Sequence, residues 1–187
     1  MKKFIKDVDQ LLDDSLKGFA HAHADIVTLN SQPHFIQRAN AKTTGKVALI
    51  SGGGSGHEPL HTGFVGLGML DAACPGQIFT SPTPDQMMLA AQTVENGAGV
   101  LFIVKNYAGD VMNFEIAAEM LDCANATVLV TDDVSLPKDH STGRRGVAGT
   151  LIVEKIIGAA AENDADLETC KALGDRVNQN TASMAVA

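Results

Sequence analysis

Four short, mainly apolar runs of residues, separated by helix-like segments, constrain the fold of this chain of 187 residues more than any other feature. The runs cover residues 47–50, 77–80, 100–104 and 127–130. Apolar runs of this length are typical of strands that are buried on both faces in a parallel sheet. Together with the intervening helical segments, they predict an α/β fold in which a largely parallel or mixed central sheet is flanked by helices on both faces.

The segments between the runs carry recognisable helix ends. Thr83, Pro84 and Gln86 form the pattern of a capping box with proline at the first helical position. The helix that they begin is predicted to end at Gly97, since glycine is common just after a helix. Apolar spacing predicts further helices at residues 8–19, 110–123, 147–161 and 166–178, and residues 182–187 have the composition of a strand.

The length of the chain suits one domain, because domains usually contain roughly 100–200 residues. The sequence has no internal repeat and no low-complexity linker. Its last residues resemble the start of a strand without a closing turn. This ending predicts a truncated fragment, with a short terminal strand as the alternative.

Charge and cysteine content restrict the partners and compartments that we expect. The formal net charge is −8, which argues against nucleic acid as a partner because phosphate binding requires a basic surface. Cys74, Cys123 and Cys170 are far apart, so neither a disulfide framework nor a zinc site is predicted, and reduced thiols in the cytoplasm are expected. No apolar stretch is long enough for a signal peptide or a membrane span.

Residues 51–59, directly after the first run, are predicted to form a loop, and they combine three consecutive glycines with a histidine and a glutamate. Glycines allow strained backbone conformations and the close approach of a ligand, and their N–H groups can bind an anion or a hydroxyl group. The segment lacks the P-loop and dinucleotide patterns, and His57 occupies the position where a nucleophile elbow requires glycine. A glycine-rich turn alone is as often structural as functional, but His57 and Glu58 favour function because histidine exchanges protons near neutral pH.

A second polar segment, residues 105–110, follows the third run. Lys105 and Asp110 flank a turn at Gly109, and we expect both to face the cleft at the carboxyl end of the strand. Two structural alternatives remain open: Lys105 as a solvated surface charge, and Asp110 as the cap of the next helix. Tyr107 is the only tyrosine of the chain and favours neither interpretation.

A third polar segment, residues 132–146, follows the fourth run. Asp132 and Asp133 are paired acids of a kind that can bind a metal, but the absence of further spaced ligands favours a solvated loop. Arg144 and Arg145 stand just before a predicted helix, where they can bind a phosphate or an acidic partner, or form salt bridges.

His57 and His61 are four residues apart, as in a metal-binding pair on one face of a helix. Pro59 lies between them, however, and no third ligand follows at a suitable spacing. We therefore do not predict a metal site in this chain.

Four segments in order, residues 46–59, 79–85, 104–110 and 143–150, resemble the dihydroxyacetone kinases, and especially their bacterial substrate-binding subunits. The similarity extends over nearly the whole chain. Each segment alone has low specificity, whereas the four in this order are highly specific. The stretch of residues 122–143 is a few residues shorter than is usual in the family, a difference that affects the rim of the cleft.

The resemblance implies which residues bind the substrate, dihydroxyacetone. They are Gly54, Ser55, Gly56, His57, Lys105 and Asp110. It also implies that His57 is the general base on the substrate hydroxyl and that Asp110 orients or shares in this proton transfer. The resemblance also implies that residues 1–187 form the first, amino-terminal domain of the substrate-binding subunit, truncated before the second domain. In the family, a histidine of that second domain binds the substrate carbonyl covalently. This chain ends before that position, so we expect it to bind dihydroxyacetone poorly when alone.

The resemblance further implies that this chain itself binds neither a cofactor nor a metal. A separate, all-helical subunit carries ADP and magnesium and is recharged by the phosphoenolpyruvate-dependent phosphotransferase system, whereas fused relatives use ATP directly. We accordingly expect a cytoplasmic, homodimeric kinase subunit of glycerol metabolism. Its expected partners are dihydroxyacetone and the ADP-binding subunit, with no contact to nucleic acid or membrane.

Two other functions are compatible with the same residues. One is a regulatory relative that senses dihydroxyacetone in this pocket and acts as a transcriptional coactivator without turnover. The other is an unrelated α/β module that binds a sugar. The presence of both His57 and Asp110 favours the enzyme.

Overall fold

The computed structural model describes residues 3–137, 139 and 141–186. Within these residues the chain forms six strands and five α-helices, together with a short 3-10 helix at Thr62–Phe64. The strands are β1 (Val27–Ser31), β2 (His34–Arg38), β3 (Ala48–Ser55), β4 (Ala72–Ile78), β5 (Val100–Lys105) and β6 (Asn125–Val130). The helices are α1 (Leu11–Ala22), α2 (Pro84–Val94), α3 (Ala108–Glu119), α4 (Gly149–Glu162) and α5 (Leu167–Gln179).

All six strands belong to one mixed sheet with the order β1-β2-β4-β3-β5-β6. The strands β4, β3, β5 and β6 are parallel to one another, and β2 and β1 add an antiparallel edge next to β4. Parallel strands require crossover connections, which the intervening helices supply. The predicted largely parallel or mixed sheet is confirmed.

Helices cover both faces of the sheet, so that the central strands are buried on both sides. Leu49 of β3 packs into a core with Val153 of α4, on the face that α1, α4 and α5 cover. The next residue, Ile50, packs into a second core with Met87 of α2 and Phe114 of α3. Successive strand residues point to opposite faces, and here both faces are apolar. The prediction of helices on both faces is confirmed.

The prediction of a second strand at residues 77–80 is wrong. The strand is β4, which begins at Ala72 and ends at Ile78, and its last two residues are exposed. Phe79 then turns the chain with a φ of +56°. The strand escaped prediction because its buried part consists of small residues, which close packing requires. A Cβ on Gly76, for example, would lie 2.0 Å from the carbonyl oxygen of Thr80.

The glycine-rich segment is largely strand and only in its last part a turn, which corrects the interpretation of residues 51–59 as a loop. β3 continues through the three glycines to Ser55, and Gly52 is paired with Cys74 of β4. A Cβ on Gly52 would lie 2.6 Å from the carbonyl oxygen of Cys74. The close approach of two strands therefore accounts for Gly52, whereas the left-handed φ of +100° accounts for Gly56.

The predicted helices are present, and their ends differ by a few residues. The capping box of α2 is confirmed, with Oε1 of Gln86 accepting a hydrogen bond from the N–H of Thr83 at 3.3 Å. The same helix ends at Val94, earlier than predicted, because Glu95 already has an extended conformation. None of the described helices is both long and apolar enough to span a lipid bilayer.

The residues after α5 do not form the predicted terminal strand within the described part of the chain. Ser183 makes one isolated bridge with Asp133, in which its N–H donates to the carbonyl oxygen of Asp132 at 2.8 Å. Ala187 lies outside the described residues. The tail is therefore fixed to the loop after β6 by Ser183, whose N–H and hydroxyl donate to Asp132 and whose carbonyl oxygen accepts from the N–H of Val134.

Candidate functional site

The carboxyl ends of β3 and β5 meet at a cavity of about 90 Å³. It is lined by Gly54, His57, Phe79, Ser81, Lys105, Tyr107 and Asp110. Liquid water occupies about 30 Å³ per molecule, so the cavity suits a small ligand. Its position beyond the carboxyl ends of parallel strands is the one in which open α/β sheets bind ligands.

The end of β3 supplies Gly54 and His57 to this cavity. A Cβ on Gly54 would lie 2.6 Å from the backbone nitrogen of Thr80, so only glycine fits between the two backbones. His57 is exposed, and its ring contacts the edge of Phe79 with 5.1 Å between the ring centres. The imidazole therefore stands at the rim, where it is open to an incoming hydroxyl group.

The end of β5 supplies Lys105, which is 7% exposed. Burial lowers the pKa of its ammonium group, while the negative charges of Asp110 and Glu154 oppose this effect. The Nζ atom lies 5.2 Å from the ring centre of Tyr107, a distance at which the ring attracts a cation. The alternative that Lys105 is a solvated surface charge is wrong.

Asp110 is the third residue of α3 and is 4% exposed. The N-cap of α3 is Tyr107, so the alternative that Asp110 caps this helix is wrong. Its carboxylate lies in the first turn, where the helix dipole favours a negative charge, and close enough to Lys105 to stabilise the ammonium group. The cavity thus combines an imidazole, a buried cation and a carboxylate.

Ser55 and Gly56 lie on the other side of the β3 end. They line a neighbouring cavity of about 270 Å³ together with Glu58 and Ile78. The hydroxyl of Ser55 donates a hydrogen bond to the carbonyl oxygen of Gly76 at 2.6 Å, and the N–H of Gly56 donates to the carboxylate of Glu58 at 3.0 Å. The structure therefore brings Gly54, His57, Lys105 and Asp110 together and leaves these two residues beside them.

In the third polar segment the prediction of a solvated position is wrong for Asp132 and Asp133, which are both buried, although most of the described residues between them and Gly143 are exposed. Asp132 accepts hydrogen bonds from the N–H groups of Val147 and Gly149, each at 2.8 Å. Asp133 forms a salt bridge of 2.7 Å with Arg145. Hydrogen bonds from Ser135 and Arg145 lower the pKa of the Asp133 carboxyl. The two acids fix the loop to the start of α4, and for Arg145 the salt-bridge alternative is confirmed.

The sequence reasoning missed a buried polar cluster behind the glycine strand. Nδ1 of His61 lies 2.9 Å from Oε1 of Glu154 and 3.0 Å from Oγ of Ser51. Burial raises the pKa of Glu154, whereas the hydrogen bond to His61 and the charge of Lys105 lower it. His61 was considered only as a partner of His57, although Glu154 occupies a core-facing position of α4. A carboxylate among the buried residues on that face of α4 is the signal that could have revealed the cluster.

His57 and His61 do not converge, since the first is exposed and the second is buried. Among the residues that the structure describes, no group of three or more His, Cys, Asp or Glu side chains is arranged to hold a metal ion. The spacing of four residues therefore does not bring the two histidine side chains together.

Comparison with known proteins gives a consistent result. A family model described as the Dak1 domain matches residues 17–187. The chain is 50% identical over its whole length to the dihydroxyacetone-binding subunit of the PEP-dependent dihydroxyacetone kinase of Escherichia coli, and covers 53% of that subunit. It is 51% identical to the corresponding subunit of kinase 1 of Listeria innocua and covers 58% of it. The chain thus spans about half the length of the curated relatives that it matches.

Solved structures show the same fold. The native dihydroxyacetone kinase of C. freundii superposes with a TM-score of 0.89 at 39% identity, covering 96% of this chain and 34% of that chain. A dihydroxyacetone kinase operon co-activator superposes with a TM-score of 0.79 at 33% identity, covering 86% of this chain and 50% of that chain.

Proposed function

This chain belongs to the Dak1 domain family, and on that premise we propose that it binds dihydroxyacetone and supports its phosphorylation to dihydroxyacetone phosphate. The observation that carries the proposal is the meeting of Gly54, His57, Lys105 and Asp110 in one small cavity. A triose has hydroxyl and carbonyl oxygens but no charge, so a small cavity rich in donors and acceptors suits it.

Within this proposal, His57 is the general base. Its exposed ring takes the proton of the substrate hydroxyl while that oxygen forms a bond to the phosphorus and the bond from phosphorus to the donor breaks. Asp110 orients the hydroxyl or shares in this proton transfer, and Lys105 donates hydrogen bonds to substrate oxygens from its buried ammonium group. Most of the work is positioning and charge stabilisation, as is usual in phosphoryl transfer.

The proposal assigns ADP and magnesium to a separate subunit and no cofactor to this chain. Supporting it, the glycine segment lacks a nucleotide-binding pattern, and the names of the relatives from Listeria innocua and Lactococcus lactis describe binding subunits of kinases that depend on the phosphotransferase system. The exposed side of His57 is where the donor would approach. We further propose a cytoplasmic homodimer that acts in glycerol metabolism.

A hybrid subunit tests the proposal. In it, this chain replaces the matched half of the Escherichia coli subunit, whose second half then supplies the covalent histidine that the family resemblance implies. With the remaining components of the Escherichia coli kinase, we expect phosphorylation of dihydroxyacetone that depends on phosphoenolpyruvate. His57→Ala should lower turnover by at least about 100-fold, because it removes the general base.

His21→Ala is the matched control, since His21 is exposed and its ring contacts only the carbonyl oxygen of Lys17 among the described residues. Thermal unfolding would verify that each hybrid is folded. A folded hybrid without phosphoryl transfer, or a His57→Ala hybrid as active as the His21→Ala hybrid, would contradict the proposal.

A regulatory function is the second candidate, because the fold also matches the co-activator. The identity to the solved kinase is higher, 39% against 33%, and the kinase structure covers more of this chain. These values favour the kinase, and the phosphoryl-transfer assay separates the two functions directly. The interpretation as an unrelated sugar-binding module is wrong, since the family model matches residues 17–187.

A further inference from the structure

The hydrogen-bond network fixes the tautomer of the buried histidine. The hydroxyl of Ser51 donates its one hydrogen to the carbonyl oxygen of Ile103 at 2.6 Å, so Oγ can only accept from Nδ1 of His61. A hydrogen on Nδ1 satisfies both Ser51 and Glu154, whereas a bare Nδ1 would face a second lone pair at 3.0 Å. The network therefore places the hydrogen of the neutral ring on Nδ1 and leaves Nε2 as an acceptor.

This acceptor has no partner among the described residues, although His61 is only 4% exposed. The nearest cation is Lys105. A Cβ built on Gly53 would lie 3.5 Å from Nε2 of His61 and 3.4 Å from Nζ of Lys105. The two nitrogens therefore flank one small space above Gly53, and the absence of a side chain at that position keeps the space open.

Two more buried oxygens lack partners in the described part of the chain: Oε2 of Glu154 and Oγ1 of Thr150. Thr150 and Glu154 are one helical turn apart on the same face of α4. Buried polar atoms are nearly always satisfied by protein or by ordered water. The unsatisfied atoms of His61 and Glu154, two residues that are hydrogen-bonded to each other, point to bound water in this cluster.

We propose that His61 and Glu154 are positioning residues for Lys105, and that one buried water accepts a hydrogen bond from the Lys105 ammonium group and donates one to the open Nε2 of His61. Glu154 and Ser51 hold the ring in the required tautomer, as a carboxylate orients histidine in other acid–base pairs. His61 and Glu154 thus stabilise the cationic form of Lys105 from the side away from the cavity, while Asp110 stabilises it from the cavity side. Only the consequence for dihydroxyacetone rests on the proposed function.

The tautomer is measurable without any substitution. In the chain labelled with ¹⁵N-histidine, we expect the His61 resonances to show hydrogen on Nδ1 and a lone pair on Nε2. The opposite tautomer would overturn the proposal, since Nε2 would then carry a hydrogen and could not accept one from the water.

The effect on Lys105 is measurable by following its Nζ or Cε resonance during a pH titration. The groups that face Lys105 are His61 and Glu154 from behind, and Asp110 and the Tyr107 ring from the cavity side. Gly53→Ala fills the space between the two nitrogens, and His61→Phe removes the acceptor while keeping a ring. Each should lower the pKa of Lys105 by about one pH unit, because an acceptor for the charged form is lost.

Gly18→Ala is the control, as a Cβ there meets no atom within 4 Å. If the His61→Phe variant does not fold, Gly53→Ala and the tautomer measurement still test the proposal. An unchanged pKa of Lys105 in Gly53→Ala would overturn the proposal. Affinity for dihydroxyacetone is read separately, with a loss of about tenfold expected in Gly53→Ala. If the Lys105 pKa falls but the hybrid subunit with unsubstituted Gly53 does not bind dihydroxyacetone, the proposed function fails and the positioning role stands.

Discussion

Two buried ionic clusters lie at opposite ends of the parallel strands, and they differ in how completely their atoms are paired. The amino-end cluster consists of Arg38, Lys46, Asp71 and Glu162. The ammonium of Lys46 donates to Asp71 and to the carbonyl oxygen of Val47. Asp71 also accepts the N–H of Leu49 at 2.8 Å. Arg38 forms a two-pronged bridge of 2.8 and 3.1 Å to Glu162.

The carboxyl-end cluster consists of His61, Lys105, Asp110 and Glu154. It is buried to a similar degree, yet among the described residues Nζ of Lys105 has no hydrogen-bond acceptor, and one atom each of His61 and Glu154 is unpaired. Unpaired buried polar groups reduce stability. The comparison teaches that a fully paired cluster holds the fold together, whereas unpaired buried groups beside a cavity indicate where a ligand or water is bound.

The largest effect is expected in the amino-end cluster. Lys46→Met removes the cation that contacts Oδ2 of the buried Asp71 carboxylate and leaves it only Arg38, at 3.7 Å from Oδ1; breaking a buried ion pair typically costs about 3–5 kcal/mol of unfolding free energy. Chemical denaturation measures it. Lys17→Met is the control, because Lys17 pairs with Asp13 on the surface, and its effect should be much smaller. Equal effects of the two substitutions would contradict the role given to the amino-end cluster.

The same substitution in the carboxyl-end cluster should have the opposite sign. Lys105→Met removes a cation whose pKa is lowered by burial, so we expect the unfolding free energy to increase by about 1 kcal/mol. Binding of dihydroxyacetone should be lost in the same variant. A clear decrease in stability would show that Lys105 is as well paired as Lys46 and would remove the contrast between the clusters.

The pH dependence of stability should differ between the wild-type chain and Lys105→Met. Because the pKa of Lys105 is lowered from 10.5 in the folded state, the unfolded chain binds more protons between the lowered value and 10.5. The contribution of Lys105 to stability therefore increases as the pH rises through that window. Denaturation at several alkaline pH values should show this increase in the wild-type chain relative to the variant; parallel curves would contradict it.

The smallest effect of these substitutions is expected at Ser55, which lies next to the cavity rather than in it. Ser55→Ala removes the hydrogen bond to the carbonyl oxygen of Gly76, with a loss of about 1 kcal/mol of unfolding free energy. Because this hydroxyl is already engaged, we expect dihydroxyacetone affinity to change far less than in Asp110→Ala. Isothermal titration of both variants compares them. A larger loss of affinity in Ser55→Ala would place the substrate on the other side of the β3 end.

The parts of the fold that the sequence predicts well are those with a local signal. β5 and β6 are continuous apolar runs, and the start of α2 has a capping box. β4 was misplaced because its small residues are required by contacts to distant backbone atoms, which no local pattern records. The glycines of β3 predict a loop rather than a strand, because glycine has no side chain that could show the alternation of a strand.

The candidate site divides in the same way. Lys105 and Asp110 are close in sequence and lie at a strand end, so their meeting with the glycine segment was predictable from the α/β pattern. His61 and Glu154 are 93 positions apart, and only the crossing of α4 over the sheet brings them together. Burial of Asp132 and Asp133 likewise depends on the start of α4, which explains why a solvated loop was predicted.

The most direct test of the central claim is a map of dihydroxyacetone binding on the ¹⁵N-labelled chain. Backbone chemical shifts would be followed as dihydroxyacetone is added, at concentrations high enough for a weak ligand. We expect the largest changes at Gly54, His57, Lys105 and Asp110, with none at Lys46. Changes centred on another cavity, or no changes at the highest soluble concentration of dihydroxyacetone, would contradict the assignment of this site.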